Sequence, residues 1–147
     1  MKNNSDCLFC QIAQKQKFAH IIAENEHCLA FLDLNPASKG HTLIIAKNHA
    51  ENIVKLEQSD WNDLFVNKHN NFTFFQMVVN KLQKTLQPKG FNFITNMGEE
   101  AYQSILHFHL HIIPKYQKDQ GFVWTVRNYD KQTVELAKIA KRLTKKT

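Results

Sequence analysis

The run His107-Phe108-His109-Leu110-His111-Ile112-Ile113, HFHLHII in one-letter code, decides how the chain folds and what it can do. Histidine takes every second position, and large apolar side chains fill the gaps. Successive side chains of a β-strand point to opposite faces. A strand here lines one face with His107, His109 and His111 and presses Phe108, Leu110 and Ile112 into a core on the other. A strand face that tolerates polarity explains one histidine; three in strict alternation ask for chemistry. Two kinds fit. Imidazoles two positions apart lie close enough to share a metal ion. They equally suit a neutral imidazole nucleophile flanked by donors, as attack on a phosphate ester or phosphoramidate requires.

Outward from this run the chain divides into short alternating segments. FNFITNM (91–97) reads as a strand, and a polar loop from Gly98 to Gln103 joins it to the histidine strand, which ends at Pro114. Asn96 and Ser104 flank that loop, either as turn residues or as donors toward phosphate oxygens. HIIAENEHCLAFLDL (20–34) reads as two strands around a polar turn. In the second, Cys28, Ala30 and Leu32 alternate with Leu29, Phe31 and Asp33 up to the Asn35-Pro36 break. GHTLIIAK (40–47) is a strand launched by Gly40, and CLFCQIAQ (7–14) is a short helical turn. From Ser59 to Gln87, Trp61, Leu64, Phe65, Phe72, Phe75, Val79, Leu82 and Leu86 follow the helical period. Ser59 is the expected N-cap, with Asp60 and Asp63 near the positive end of the helix dipole, and Pro88 and Gly90 mark the stop. The polar NKHNN (67–71) interrupts the period. A final helix is expected from about Asp130 to Leu143. Strands joined as hairpins with helices inserted predict an antiparallel α+β domain spanning residues 1–147.

With 147 residues, 43% of them hydrophobic and eleven of them Phe, the chain can bury a sizeable core. Its net charge of +6 invites a nucleic-acid partner. Much of that excess lies in KIAKRLTKK (138–146), however, where no aromatic is interleaved, so a solvated helix face is expected and no nucleic acid. Three cysteines are too few for a disulfide framework. No signal peptide and no membrane span are read, which makes a cytoplasmic protein with reduced thiols the expectation. Cys7-x-x-Cys10 is either a pair of part-buried thiols or half of a metal tetrahedron, with His49 and the triplet as candidates for the other half. Asp33 either caps its turn or accepts from a ribose hydroxyl, as acids do in dinucleotide folds.

The blocks CLFCQI, CLAFLDLNPASKGHTLIIAKNH, FNFITNMGEEAYQS and HFHLHIIPKY, in this order, resemble the histidine triad (HIT) superfamily and within it the nucleoside phosphoramidases. The resemblance runs from about Cys7 to Tyr116, and the tail is similar to bacterial members. It implies a five-stranded antiparallel sheet with one long helix and short flanking helices, paired as a homodimer into a ten-stranded sheet. The core would span about 7–116 and a helical tail about 117–147. It implies purine nucleoside monophosphate binding and hydrolysis of purine nucleoside phosphoramidates through a nucleotidyl-histidine. By position His109 matches the nucleophile, while His111 and Ser104 match the groups serving the phosphate oxygens or the leaving group. Asp33 matches the ribose acceptor, with Phe9, Ile12, Phe31, Leu34 and Leu43 around the base. Asn96 and Gln103 fall on the phosphate rim, and His41 matches a supporting histidine. Members with an N-terminal CxxC hold a structural zinc, whose matching ligands are Cys7, Cys10, His49 and His107. Other branches cleave dinucleoside polyphosphates. A non-enzymatic zinc- or nucleotide-binding regulatory module and a catalytic zinc on the triad itself are the competing expectations. The chain departs from the family at Tyr102, where glycine is usual.

Overall fold

The structure is a computed structural model in which residues 4–125 and 136–144 are described. Strands β1 (Ile21–Glu24), β2 (Cys28–Leu32), β3 (Thr42–Ala46), β4 (Gly90–Ile94) and β5 (His109–Lys115) form one sheet in the order β1-β2-β3-β5-β4. Every neighbouring pair is antiparallel. The α+β class and the five strands are those expected. Helix α1 (Leu8–Ala13) precedes the sheet, and α4 (Leu136–Leu143) comes last.

Strand alternation sorts the core into two. Cys28, Ala30, Ile44, Ala46, Phe108, Leu110 and Ile112 pack with Leu64, Phe74, Val78 and Leu82 of the helical layer. Leu29, Phe31, Leu43 and Ile45 face α1 through Phe9, Cys10 and Ile12. Each such side chain taken fully from water contributes about 1.5–3 kcal/mol. The histidines project on the α1 side, so the sheet separates the packed helical layer from the chemically active one.

The long helix signal resolves into α2 (Gln58–Phe65) and α3 (Phe74–Leu86). Between them Asn70 and Asn71 take φ of 52° and 71°, the left-handed region that asparagine tolerates better than most residues. Ser59 is not the N-cap: Glu57 holds that position and Ser59 lies inside α2. The effective cap is Thr73. Its hydroxyl accepts from the Gln76 amide at 3.2 Å, and the Thr73 amide donates to Gln76 Oε1 at 3.1 Å, a capping box. Asp60 lies in the first turn of α2 and Asp63 beyond it, and both have partners outside the helix. Asp60 accepts from His27 Nδ1 at 3.0 Å and from Asn48, and Asp63 from Asn25 and from His69 Nε2 at 3.1 Å. Both carboxylates are buried, and they tie α2 to the β1–β2 turn.

Lys138, Lys141 and Arg142 on α4 are exposed, as expected of a solvated face. Asp130, Lys145 and Lys146 lie outside the described residues. Among the described residues no helix is long and apolar enough to cross a membrane.

Candidate active site and metal cluster

β5 lies between β3 and β4, with His109 opposite Ile45 and His111 opposite both Leu43 and Ile94. Above these histidines opens a cleft of about 310 Å³. Its apolar wall includes Phe9, Ile12, Phe31, Leu34 and Leu43; its polar groups include Asp33, Ser104, His109 and His111. All nine were candidates from the sequence. Asn96 and Gln103 do not line the cleft. Asn96 Nδ2 donates to the Ala101 carbonyl. Buried Gln103 donates to the carbonyls of Glu51 (2.5 Å) and Ile105 (3.1 Å) and accepts from the Gly98 amide (2.9 Å). Both brace the loop that presents Ser104. Leu8, Phe18 and Ile105 also line the cleft and were not anticipated; of these only Leu8 carried a local signal, its helical spacing with Ile12.

Tautomers follow from the partners. His109 Nδ1 lies 2.7 Å from the His107 carbonyl oxygen. A carbonyl only accepts, so Nδ1 carries the proton and Nε2 keeps its lone pair. The Phe9 ring meets the His109 ring edge-on at 5.2 Å and restrains it. His41 Nε2 lies 2.9 Å from His111 Nδ1. Burial pulls the His41 pKa down against the opposing pull of Asp33. Burial, then His109 and His41, hold His111 at about 4 against the same carboxylate. Both are therefore neutral near pH 7. Asp33 Oδ1 accepts from the Asn35 amide at 2.8 Å, capping its turn, and Oδ2 stands 3.7 Å from His41 Nε2.

Cys7, Cys10, His49 and His107 come together with their ligand atoms all within 4.8 Å of one another. Sγ–Nδ1 distances are 3.4 Å for Cys7–His107, 3.3 Å for Cys10–His49 and 3.5 Å for Cys10–His107. A tetrahedral ion with M–S of about 2.3 Å and M–N of about 2.0–2.1 Å sets S···N near 3.6 Å. The donors are thus spaced to hold a metal. His107 Nε2 donates to the Ala46 carbonyl at 2.8 Å, which leaves Nδ1 unprotonated and free to ligate. Burial lowers the His107 pKa to about 4, so the ring stays neutral. Asp33, His41 and His111 also place ligand atoms within 4.8 Å, but the His41–His111 hydrogen bond already occupies the facing nitrogens.

Tyr102 stands at φ 63°, ends the 3-10 turn Glu99–Ala101, and is 90% exposed. The left-handed backbone that glycine adopts freely is here imposed on a tyrosine whose ring stands in solvent.

The cleft thus brings together a lone-pair imidazole, a second neutral imidazole and a hydroxyl. Comparison with known proteins gives the family: a HIT domain model matches residues 14–118, and the chain belongs to the HIT family. It is 34% identical to protein hit of Bacillus subtilis, over 96% of this chain and 94% of that one. It is 35% identical to an adenosine 5'-monophosphoramidase of Schizosaccharomyces pombe, over 78% of each chain. A crystal structure of a HIT family member from Bacillus subtilis superposes with a TM-score of 0.81 at 31% identity, covering 97% of this chain and 98% of the other.

Proposed function

We propose that this chain hydrolyses purine nucleoside phosphoramidates through a nucleotidyl-histidine intermediate. The observation that carries this reading is the His109 Nδ1–H bond to the His107 carbonyl, which aims an unprotonated Nε2 into the cleft. The adenosine 5'-monophosphoramidase relative supports the substrate class. The nucleoside would sit against Phe9, Ile12, Phe31, Leu34 and Leu43, with Asp33 accepting from a ribose hydroxyl. His109 Nε2 forms a bond to phosphorus as the P–N bond breaks, and the departing nitrogen takes a proton from solvent. His111 and Ser104 donate to the phosphoryl oxygens. Water then attacks phosphorus, releasing the nucleoside monophosphate and a proton and restoring neutral His109. No metal takes part in these steps.

Cys7, Cys10, His49 and His107 would hold a structural zinc: two soft thiolates and two imidazoles in a closed set suit that ion. The functional unit would be a homodimer. β4 is an edge strand with Phe93 47% exposed and packed on Phe75 of α3 at 5.0 Å; an apolar edge of this kind is ordinarily paired or covered.

Turnover of adenosine and guanosine phosphoramidates, measured beside dinucleoside polyphosphates, tests the reaction. Release of amine and nucleoside monophosphate, with a histidine-linked nucleotide trapped by rapid denaturing quench, is expected. Turnover confined to the polyphosphates would replace the proposed substrate class.

A further inference from the structure

The Ala37 amide lies 3.1 Å from His41 Nδ1. An amide only donates, so Nδ1 of His41 carries no proton and the neutral ring must carry one at Nε2. That Nε2–H donates to His111 Nδ1. Neutral His111 therefore carries its own proton at Nε2, on the side of the ring away from His41. His109 has the opposite tautomer. Two histidines two positions apart thus offer a lone pair and an N–H, and a backbone amide in the Asp33–His41 loop decides which offers which.

The loop that carries this amide is held by the end of β5 and by a strap, residues 116–122, that runs on from it. Ser38 Oγ donates to the Pro114 carbonyl at 2.6 Å, and Tyr116 Oη donates to the Lys39 carbonyl at 3.1 Å. Lys115 Nζ, at the end of β5, folds the strap back by donating to the Gln120 carbonyl and, at 2.5 Å, to that of Phe122. At its crest Gly121 takes φ +66°, and a Cβ there would overlap the Ala37 carbonyl oxygen. The strap and the Ala37 loop are in backbone contact with no room for a side chain.

We propose that Gly121 is a positioning residue for the cleft: its contact with Ala37 keeps the Ala37 amide on His41 and so fixes His111 as an Nε2–H donor toward the transferred phosphoryl group. The inference rests on the phosphoryl-transfer reading above. A Cβ at Gly121 displaces Ala37, and a displaced Ala37 takes its amide off His41 Nδ1. The His41–His111 pair is then free to reverse, His111 Nδ1 donating to His41 Nε2. In that state His111 presents a lone pair to the substrate's oxygens, which repels them. His111 also faces Asp33 and His109; Asp33 Oδ2, 3.7 Å from His41 Nε2, favours the same Nε2 proton from beyond hydrogen-bond distance, whereas the Ala37 amide is the hydrogen-bond donor that keeps a proton off His41 Nδ1.

Nitrogen-15 NMR of histidine-labelled full-length protein reads the tautomers directly. Wild type is expected to show His41 and His111 protonated at Nε2 and His109 protonated at Nδ1. Gly121→Ala should move the His41 and His111 nitrogens toward a tautomeric average. Its kcat should fall about tenfold, short of the ~10²–10³ lost when such a donor is removed outright. KM should stay within about twofold. The kcat profile should also gain an acid limb, because the freed pair takes a proton more readily. Ser38→Ala, which loosens the same contact without adding bulk, should shift the same resonances less and decides the matter if Gly121→Ala does not fold. Wild-type tautomers at His41 and His111 in the folded variant would overturn the proposal, as would a kcat loss with unchanged histidine resonances. Should wild type turn over no phosphoramidate, the functional reading fails alone, and the resonances still decide the role of Gly121.

Discussion

The His109 imidazole donates its Nδ1 proton to the carbonyl of His107 across 2.7 Å, while the His107 imidazole lies among Cys7, Cys10 and His49. One residue therefore joins both sites. Its side chain belongs to the Cys/His cluster, and its backbone sets the tautomer of the residue two positions on. Structural disturbance of the cluster should reach the cleft through this peptide and through Phe9, whose ring meets both His107 and His109.

Replacement of His109 tests its role as nucleophile. His109→Ala should lower kcat on an adenosine phosphoramidate by about 10³-fold or more. Affinity for adenosine monophosphate should change little, because Asp33 and the apolar wall remain. Calorimetric titration together with steady-state kinetics separates the two. A variant keeping a substantial fraction of wild-type kcat would remove His109 from the mechanism.

Zinc should be found at about one per chain in protein purified without chelator. Cys7→Ser combined with Cys10→Ser should abolish it. Chelation should lower the melting temperature by several degrees, at roughly 2–4 °C for each kcal/mol in a chain of this size. Activity should disappear along the unfolding transition, since the ion would have no open position toward the cleft. Elemental analysis showing zinc retained in the double variant would return both thiols to the packed core.

Acid should weaken the fold partly through His111. Its pKa stands at about 4 against an ordinary 6.5, so between these values the unfolded chain binds the extra proton and the folded one does not. Stability rises with pH wherever the unfolded state binds more protons. The contribution is present above about pH 6.5 and is lost as pH falls toward 4. Melting temperatures of wild type and His111→Asn, measured from pH 7 down to 4, should show the advantage of wild type shrinking across that window. A constant difference would place the pH sensitivity elsewhere.

Pairing through β4 predicts a dimer mass by light scattering at micromolar concentration. Phe93→Lys, which puts a charge on the exposed edge, should shift the mass toward the monomer without unfolding the chain. A wild-type monomer would reject the pairing; a dimer untouched by Phe93→Lys would move it to another surface.

Much of the site was legible before folding because its signals are local periods. Alternation over residues 107–113 made a strand with two chemically different faces, and Phe108, Leu110 and Ile112 are buried where that period puts them. Cys7, at the N-cap of α1, and Cys10, in its first turn, carried their own signal in the CxxC spacing. Tertiary structure decided matters that depend on partners distant in the chain. Thr73 caps α3 because the chain breaks at Asn70 and Asn71; the polar NKHNN marked an interruption there, but not which residue would cap the helix that follows. Gln103 looked like a substrate contact by position but meets the Glu51 carbonyl across 52 residues. The tautomers of His109 and His111 are set by a carbonyl and an amide, which every residue possesses. Side-chain identity told the sequence where imidazoles sit; only the folded backbone, by pointing one acceptor and one donor at them, determined which nitrogen of each carries the proton.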